Sequence, residues 1–206
     1  MAHLISYAWK ARGSGYASTV PEDGWKQMAE RLTEAQKLLR SIPKTCPQWH
    51  HNALTIGLGA GWEDSEHQKM FENGWKSFPG YTPFISQRVY FQLPRWHGRP
   101  GSWQKWAADF AKKEGVQYYV NALQTAYNYE KEAAFAGIDP ALLSESCAAQ
   151  VKERPGSLYQ LHRAARMLVR AEAPQAAEWM AKLGQTYQSE VWSSYSRIEE
   201  TRAALK

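Results

Sequence analysis

Residues 81–110, YTPFISQRVYFQLPRWHGRPGSWQKWAADF, constrain the fold more than any other stretch of the chain. Thr82 is a candidate helix cap, and Pro83 falls at a first helical position, where a missing N–H costs nothing. Phe84, Ile85, Val89 and Leu93 follow at mostly three- and four-residue steps, the period of a buried helix face. Pro94 stops that helix because it cannot donate the next backbone bond. Arg95, Trp96 and His97 come next, and Gly98, Pro100 and Gly101 hold the turn. Ser102 is a candidate cap for a second helix, with Trp103, Trp106, Ala107 and Phe110 inward. Neither apolar face can be hidden by its own helix, so neighbouring elements must cover them.

The rest of the chain supplies such neighbours. HLISYAWKAR predicts a short helix over 3–12, ended by Gly13. Thr19 and Glu22 have the spacing of a capping box. Behind them Trp25, Met28, Ala29, Leu32, Ala35, Leu38, Leu39 and Ile42 make a long stripe of helical period, closed by Pro43. Pro47 opens another helix, and a third covers about 63–77. A long helix is expected from Val116 to Ala136, capped by Gly137. Asp139-Pro140 and Ser157 read as two further helix starts. Pro174 begins a short helix, and the last runs over about 193–205.

No segment alternates apolar and polar residues cleanly enough to be a strand. The fold class is therefore all-α, a helix-hairpin array of tetratricopeptide-like solenoid or irregular-bundle type, in one domain over residues 1–206. Residues 47–80 and 81–115 each fill roughly the 34-residue period of such hairpin units. The 206-residue length and 44% hydrophobic content suit a sizeable core. Ten Trp and eleven Tyr suit both helix packing and binding surfaces.

Cys46 and Cys147 are too few for a disulfide framework or a metal set, and whether they pair is left open. No apolar run nears the ~20 residues that span a bilayer. No secretory signal is legible, so the chain alone reads as cytoplasmic; a natural leader removed from its start is compatible with that, and the compartment stays open.

AWKARGSGYASTV, from Ala8 to Val20, and LPRWHG, from Leu93 to Gly98, resemble a widespread bacterial domain family of unknown function. Its members carry an AWxARGxG-like start and an LPRWxG-like elbow. Ala8, Trp9, Ala11, Arg12, Gly13 and Gly15 match the first pattern, and Leu93, Pro94, Arg95, Trp96 and Gly98 the second. His97 stands where many members have a small residue. The resemblance covers the first half of the chain and implies a tetratricopeptide-like helical fold, with no activity attached.

Candidate binding residues follow from residue type and placement. Arg95, Trp96 and His97 sit on a constrained elbow, and Arg and Trp are the residues that dominate interfaces. The structural alternative is that Arg95 bonds helix-end carbonyls and Trp96 plugs the hairpin. Arg12, between glycines, offers a planar fork for a carboxylate, external or internal. Arg163, Arg166 and Arg170 form one basic stripe at helical spacing. It faces either an acidic protein surface or solvent, with Glu172 and Glu178 as candidate partners.

His50, His51 and His67 lack any metal-ligand spacing; adjacent residues on a helix point about 100° apart. No metal and no cofactor are expected. Arg99, Trp103, Lys105 and Trp106 alternate like a single-strand nucleic-acid platform, but the tryptophans have core spacing, and the net charge of +5 is a mild excess. Nucleophile elbows, phosphate loops and dinucleotide fingerprints are absent.

The function expected is a non-enzymatic helical-repeat module that binds a protein or peptide, as an adaptor or a toxin-neutralising partner in bacteria. The alternative is an enzyme of unknown class with a site of Arg12, His50, His51, Arg95 and His97 near the LPRWHG elbow. Oligomeric state is not encoded in any feature above.

Overall fold

A computed structural model describes residues 2–15 and 17–205. Tyr16, inside the AWKARGSGYASTV stretch, lies outside the described residues. Among the described residues the chain holds eleven α-helices and three short 3₁₀ turns, with no strand. It divides into two compact units, 1–100 and 101–206. The division falls within the stretch read above as one hairpin, and each of its helices finds packing partners inside its own unit.

The first unit comprises α1 (Ala2–Arg12), α2 (Glu22–Arg40), α3 (Pro47–Ala60), α4 (Asp64–Ser77) and α5 (Pro83–Phe91). Successive helices pack on one another, and α3 also meets α1 and α5. The stripe on α2 works as spaced: Met28, Leu32 and Leu39 are buried against Ile5, Ala8, Trp49 and Ile56. Leu38 and Ile42 are exposed at its end. The Trp49 indole enters this core because its N–H donates to the Leu39 carbonyl at 2.9 Å.

The second unit comprises α6 (Ser102–Glu114), α7 (Tyr119–Glu130), α8 (Pro140–Glu153), α9 (Leu158–Arg170), α10 (Ala176–Lys182) and α11 (Tyr195–Ala204). Helices α6 to α10 again pack in sequence. Trp103, Leu123, Leu143, Leu168 and Trp179 are buried. The helix expected over 116–136 is broken. Its two ends are 3₁₀ turns, and Lys131 takes a positive φ of 54° where α7 stops.

The caps divide into two groups. Asp139 accepts from the backbone N–H of Ala141 and Leu142 at 3.0 Å, and Ser157 accepts from Gln160. The expected capping box does not form. Thr19 ends a 3₁₀ turn, and Pro21 holds the cap position in extended geometry without a side-chain bond. Ser102 is the first residue of α6 rather than its cap, because Gly101, at φ 85°, has that place. Thr82 does occupy its cap position, but its carbonyl rather than its hydroxyl receives the first helical N–H groups.

Candidate functional site

In the first unit, the two separated stretches that carry the resemblance meet. Gly13, at φ 76°, closes α1 by donating its N–H to the Trp9 carbonyl at 3.1 Å. At the other end of the unit, the elbow after α5 is a tight backbone knot. The N–H groups of Trp96 and Gly98 both donate to the Leu93 carbonyl, and that of His97 donates to Phe91. Gly98 is required by close approach: a Cβ there would lie 1.7 Å from the Gln92 carbonyl oxygen.

That knot presents Trp96 to α1. Its ring meets Trp9 edge-on at 5.3 Å and Tyr90 at 5.6 Å. The Arg12 guanidinium lies between two indoles, 5.1 Å from the Trp96 ring and 5.3 Å from Trp25. Its Nη1 donates to the carbonyls of Gly13 and Gly15. Arg12 therefore engages rings and backbone where the sequence suggested a carboxylate. A cleft of about 320 Å³ opens beside it, lined by Ser14, Gly15, Tyr90 and Arg95. Arg95 is exposed at that cleft.

His97 turns the other way. Its Nε2 donates to the Leu58 carbonyl at 2.9 Å, which places the ring proton on that nitrogen, and the ring stacks on Phe91 at 4.5 Å. The remaining histidines have separate surroundings. His50 is buried among the rings of Trp49, Phe78 and Phe84. His51 meets the Gln48 and Gln87 amides. His67 stacks on Phe91 at 4.0 Å, with its Nδ1 3.5 Å from Nη1 of Arg88. Burial first, and the Arg88 charge second, hold His67 down at a pKa of about 3. Arg88 is itself buried and donates to the exposed Asp64 carboxylate at 2.7 Å.

The basic stripe in the second unit is arranged differently. Arg163, Arg166 and Arg170 on α9 are half-buried along one cleft of about 280 Å³. Arg163 donates to the side-chain oxygens of Gln150 and Asn121 at 3.3 Å each. Its Nε is buried without a hydrogen-bond partner. Arg166 donates to the Val191 carbonyl, and Arg170 to the Tyr127 hydroxyl and the Glu132 carboxylate. Among the described residues, neither Arg163 nor Arg166 has an acidic side chain at ion-pair distance. Burial pulls both guanidiniums below their ordinary pKa. For Arg166 the neighbouring Arg170 acts in the same direction.

No family model, no curated protein and no solved structure matches this chain.

Other sequence candidates are absorbed by the scaffold. Trp103 is buried, Trp106 stacks on Phe110 at 5.0 Å, and Lys105 pairs with Asp109. Glu178 pairs with Lys182 rather than with the stripe, because one helical turn along α10 brings the two together. Cys46 is exposed and Cys147 buried, both as free thiols, and burial pushes the Cys147 pKa up to about 12. Among the described residues, no group of three or more His, Cys, Asp or Glu side chains is placed to hold a metal ion. Among the same residues, no helix is long and apolar enough to cross a membrane.

Sequence reasoning missed a polar chain that lies behind the α9 cleft. His162 is fully buried on α9. Its Nδ1 accepts from the Trp192 indole at 3.1 Å, so its other nitrogen carries the proton and donates to the Thr186 hydroxyl at 2.9 Å. Thr186 then donates to the Leu183 carbonyl. This chain anchors the segment between α10 and α11, which brings Glu190 and Val191 to the cleft. The signal for it was a histidine within an apolar face, but its partners lie 24 and 30 residues away.

Proposed function

We propose that the protein is a non-enzymatic binding module that takes an acidic segment of a protein partner on the arginine face of α9. The observation that carries this reading is the pair Arg163 and Arg166: two guanidiniums in one cleft without a carboxylate of their own. A half-buried charge lacking a counter-charge is unfavourable in the free protein, and an incoming acid relieves it. Planar guanidinium forks match oxyanions geometrically, and arginine is enriched where interfaces are strongest. Tyr127 and Tyr159 add rigid aromatic walls of the kind interfaces favour.

Successive packing of short-looped helices supports a tetratricopeptide-like repeat scaffold as the carrier of that face. The motifs at residues 8–15 and 93–98 are what place the chain beside the bacterial family it resembles. An adaptor or a toxin-neutralising partner is the biological setting that fits such a module.

The test is quantitative partner binding with the full chain. A protein captured by the wild type and then purified should bind it directly, and Arg163→Glu with Arg166→Glu should abolish that binding while leaving the thermal melt in place. Unchanged affinity in the double variant would sink the reading, as would failure to obtain any direct binder.

A further inference from the structure

Resting on that reading, we infer that the α9 cleft is an anchor for one phosphomonoester dianion, on a partner segment or on a free small molecule. Three features lead there. First, the charge count: Arg170 already has Glu132, whereas Arg163 and Arg166 have no ion pair, Glu132 acting on Arg166 only at longer range. Glu190 lines the same cleft but is exposed and makes no ion pair among the described residues. A single carboxylate would answer only one of the two charges. Second, size: about 280 Å³ lies at the small end of ligand sites, room for one compact head group rather than two carboxylate side chains with their stems. Third, chemistry: a tetrahedral phosphoryl group offers three acceptor oxygens in different directions. The cleft has donors to meet them in its guanidiniums, the Gln124 and Asn128 amides and the Tyr159 hydroxyl. The Met167 and Val191 side chains supply apolar wall for whatever the ester carries.

The Arg163 guanidinium marks where the site is incomplete. Its Nη atoms reach only neutral amide oxygens at the long limit of a hydrogen bond. A phosphoryl oxygen would replace weak neutral acceptors with a charge-assisted one.

The pH dependence separates this ligand from a carboxylate. Facing the cleft or coupled to it are Arg163, Arg166, Arg170 and Arg197, Tyr127 and Tyr159, Cys147, Glu132 and Glu190. None of these residue types ordinarily changes charge between pH 5.5 and 7.5, roughly, and the Cys147 pKa is raised to about 12. His162, behind the wall, has its pKa lowered by burial and then by Arg202. A phosphomonoester dianion takes up a proton, and loses one charge, near pH 6 or so. Its affinity should therefore fall across this range, while that of an acidic peptide holds.

The experiment titrates the full chain with inorganic phosphate, by calorimetry and by ³¹P linewidth, at fixed moderate salt. Parallel arms use a short phosphoserine peptide and the same peptide with Ser or Glu at that position. Saturable phosphate binding is expected. It should weaken about tenfold or more in Arg163→Gln with Arg166→Gln, the scale of one charge-assisted bond lost. It should also weaken from pH 7.5 to 5.5. Absence of saturation, equal affinity in the double variant, or a flat pH profile overturns the inference. If the double variant melts early, the wild-type pH profile alone decides. Phosphate binding without any gain for the phosphopeptide over its Ser form assigns the site to a free phosphomonoester, and the protein-partner reading falls instead. Arginine-dependent binding of the Glu peptide without phosphate binding does the reverse.

Discussion

The two units use arginine in opposite ways. In the first, Arg12 is held between two indoles and bonds backbone carbonyls, and Arg88 is buried against His67 and Asp64. In both, the guanidinium acts as a packing element against aromatic rings, and its Nε is buried without a hydrogen-bond partner, as that of Arg163 is. In the second, Arg163 and Arg166 are half-buried with neutral acceptors only. The same side chain therefore marks structure in one half and availability in the other. Residue type and spacing do not separate the two cases, and neither does the acceptor alone, since Arg12 too bonds only neutral carbonyls; the two indoles packed on Arg12 and the carboxylate held by Arg88 do.

Five measurements break or sharpen this contrast. At neutral pH the largest effect is expected at Gly98, the backbone point on which the Arg12 clasp depends. Gly98→Ala forces a Cβ into the Gln92 carbonyl and should cost at least about 3 kcal/mol in urea unfolding. A loss under about 1 kcal/mol would mean the knot opens easily. Arg88→Ala should cost about 3 kcal/mol, mainly from the emptied volume, whereas Arg88→Met should recover most of it. Equal loss in both would assign the role to charge. Trp96→Ala should cost about 2 kcal/mol and leave Arg12 reachable by solvent, read as faster proteolysis within 8–15.

The fourth measurement is acid sensitivity. His67 titrates near 3 when folded and near 6.5 when unfolded, so the unfolded chain binds the proton first. Stability from this group is whole above about pH 6.5 and falls by about 1.4 kcal/mol per unit below it, down to about pH 3. The lowered His50 and His162 add in the same direction. His67→Phe should flatten part of that slope in melts between pH 7 and 4, and an unchanged slope would refute the assignment. The smallest effect is expected at the open arginines. Arg163→Gln should move stability by no more than about 0.5 kcal/mol, with stabilisation the expected sign, because it removes a charge without a partner. A loss of about 2 kcal/mol would place Arg163 with Arg12 and Arg88 as scaffold.

Legibility from sequence followed the range of the interaction. Helices announced by Pro, Gly and a periodic stripe were readable, as at Pro47, Asp139-Pro140 and the α2 face, since these signals act within a turn or two. The Thr19 box failed for a local reason: Pro21 preset the geometry one residue before the helix and displaced the expected cap. The break at Lys131 was hidden because its neighbours are good helix formers. Of the candidate residues, Arg163, Arg166 and Arg170 could be grouped because they share a helix face. That Arg12 meets Trp96, or that Trp192 meets His162, was not legible, since both depend on how distant segments pack.

The clasp between α1 and the elbow also sets an order of events at the ribosome. Arg12 leaves the exit tunnel well before one of the two rings that hold it, which belongs to the last turn of the first unit. Until Trp96 emerges, Trp9 and Arg12 lack that cover and remain open to adventitious partners. Completion of the first unit is thus tied to the arrival of its final residues, just as translation enters the second.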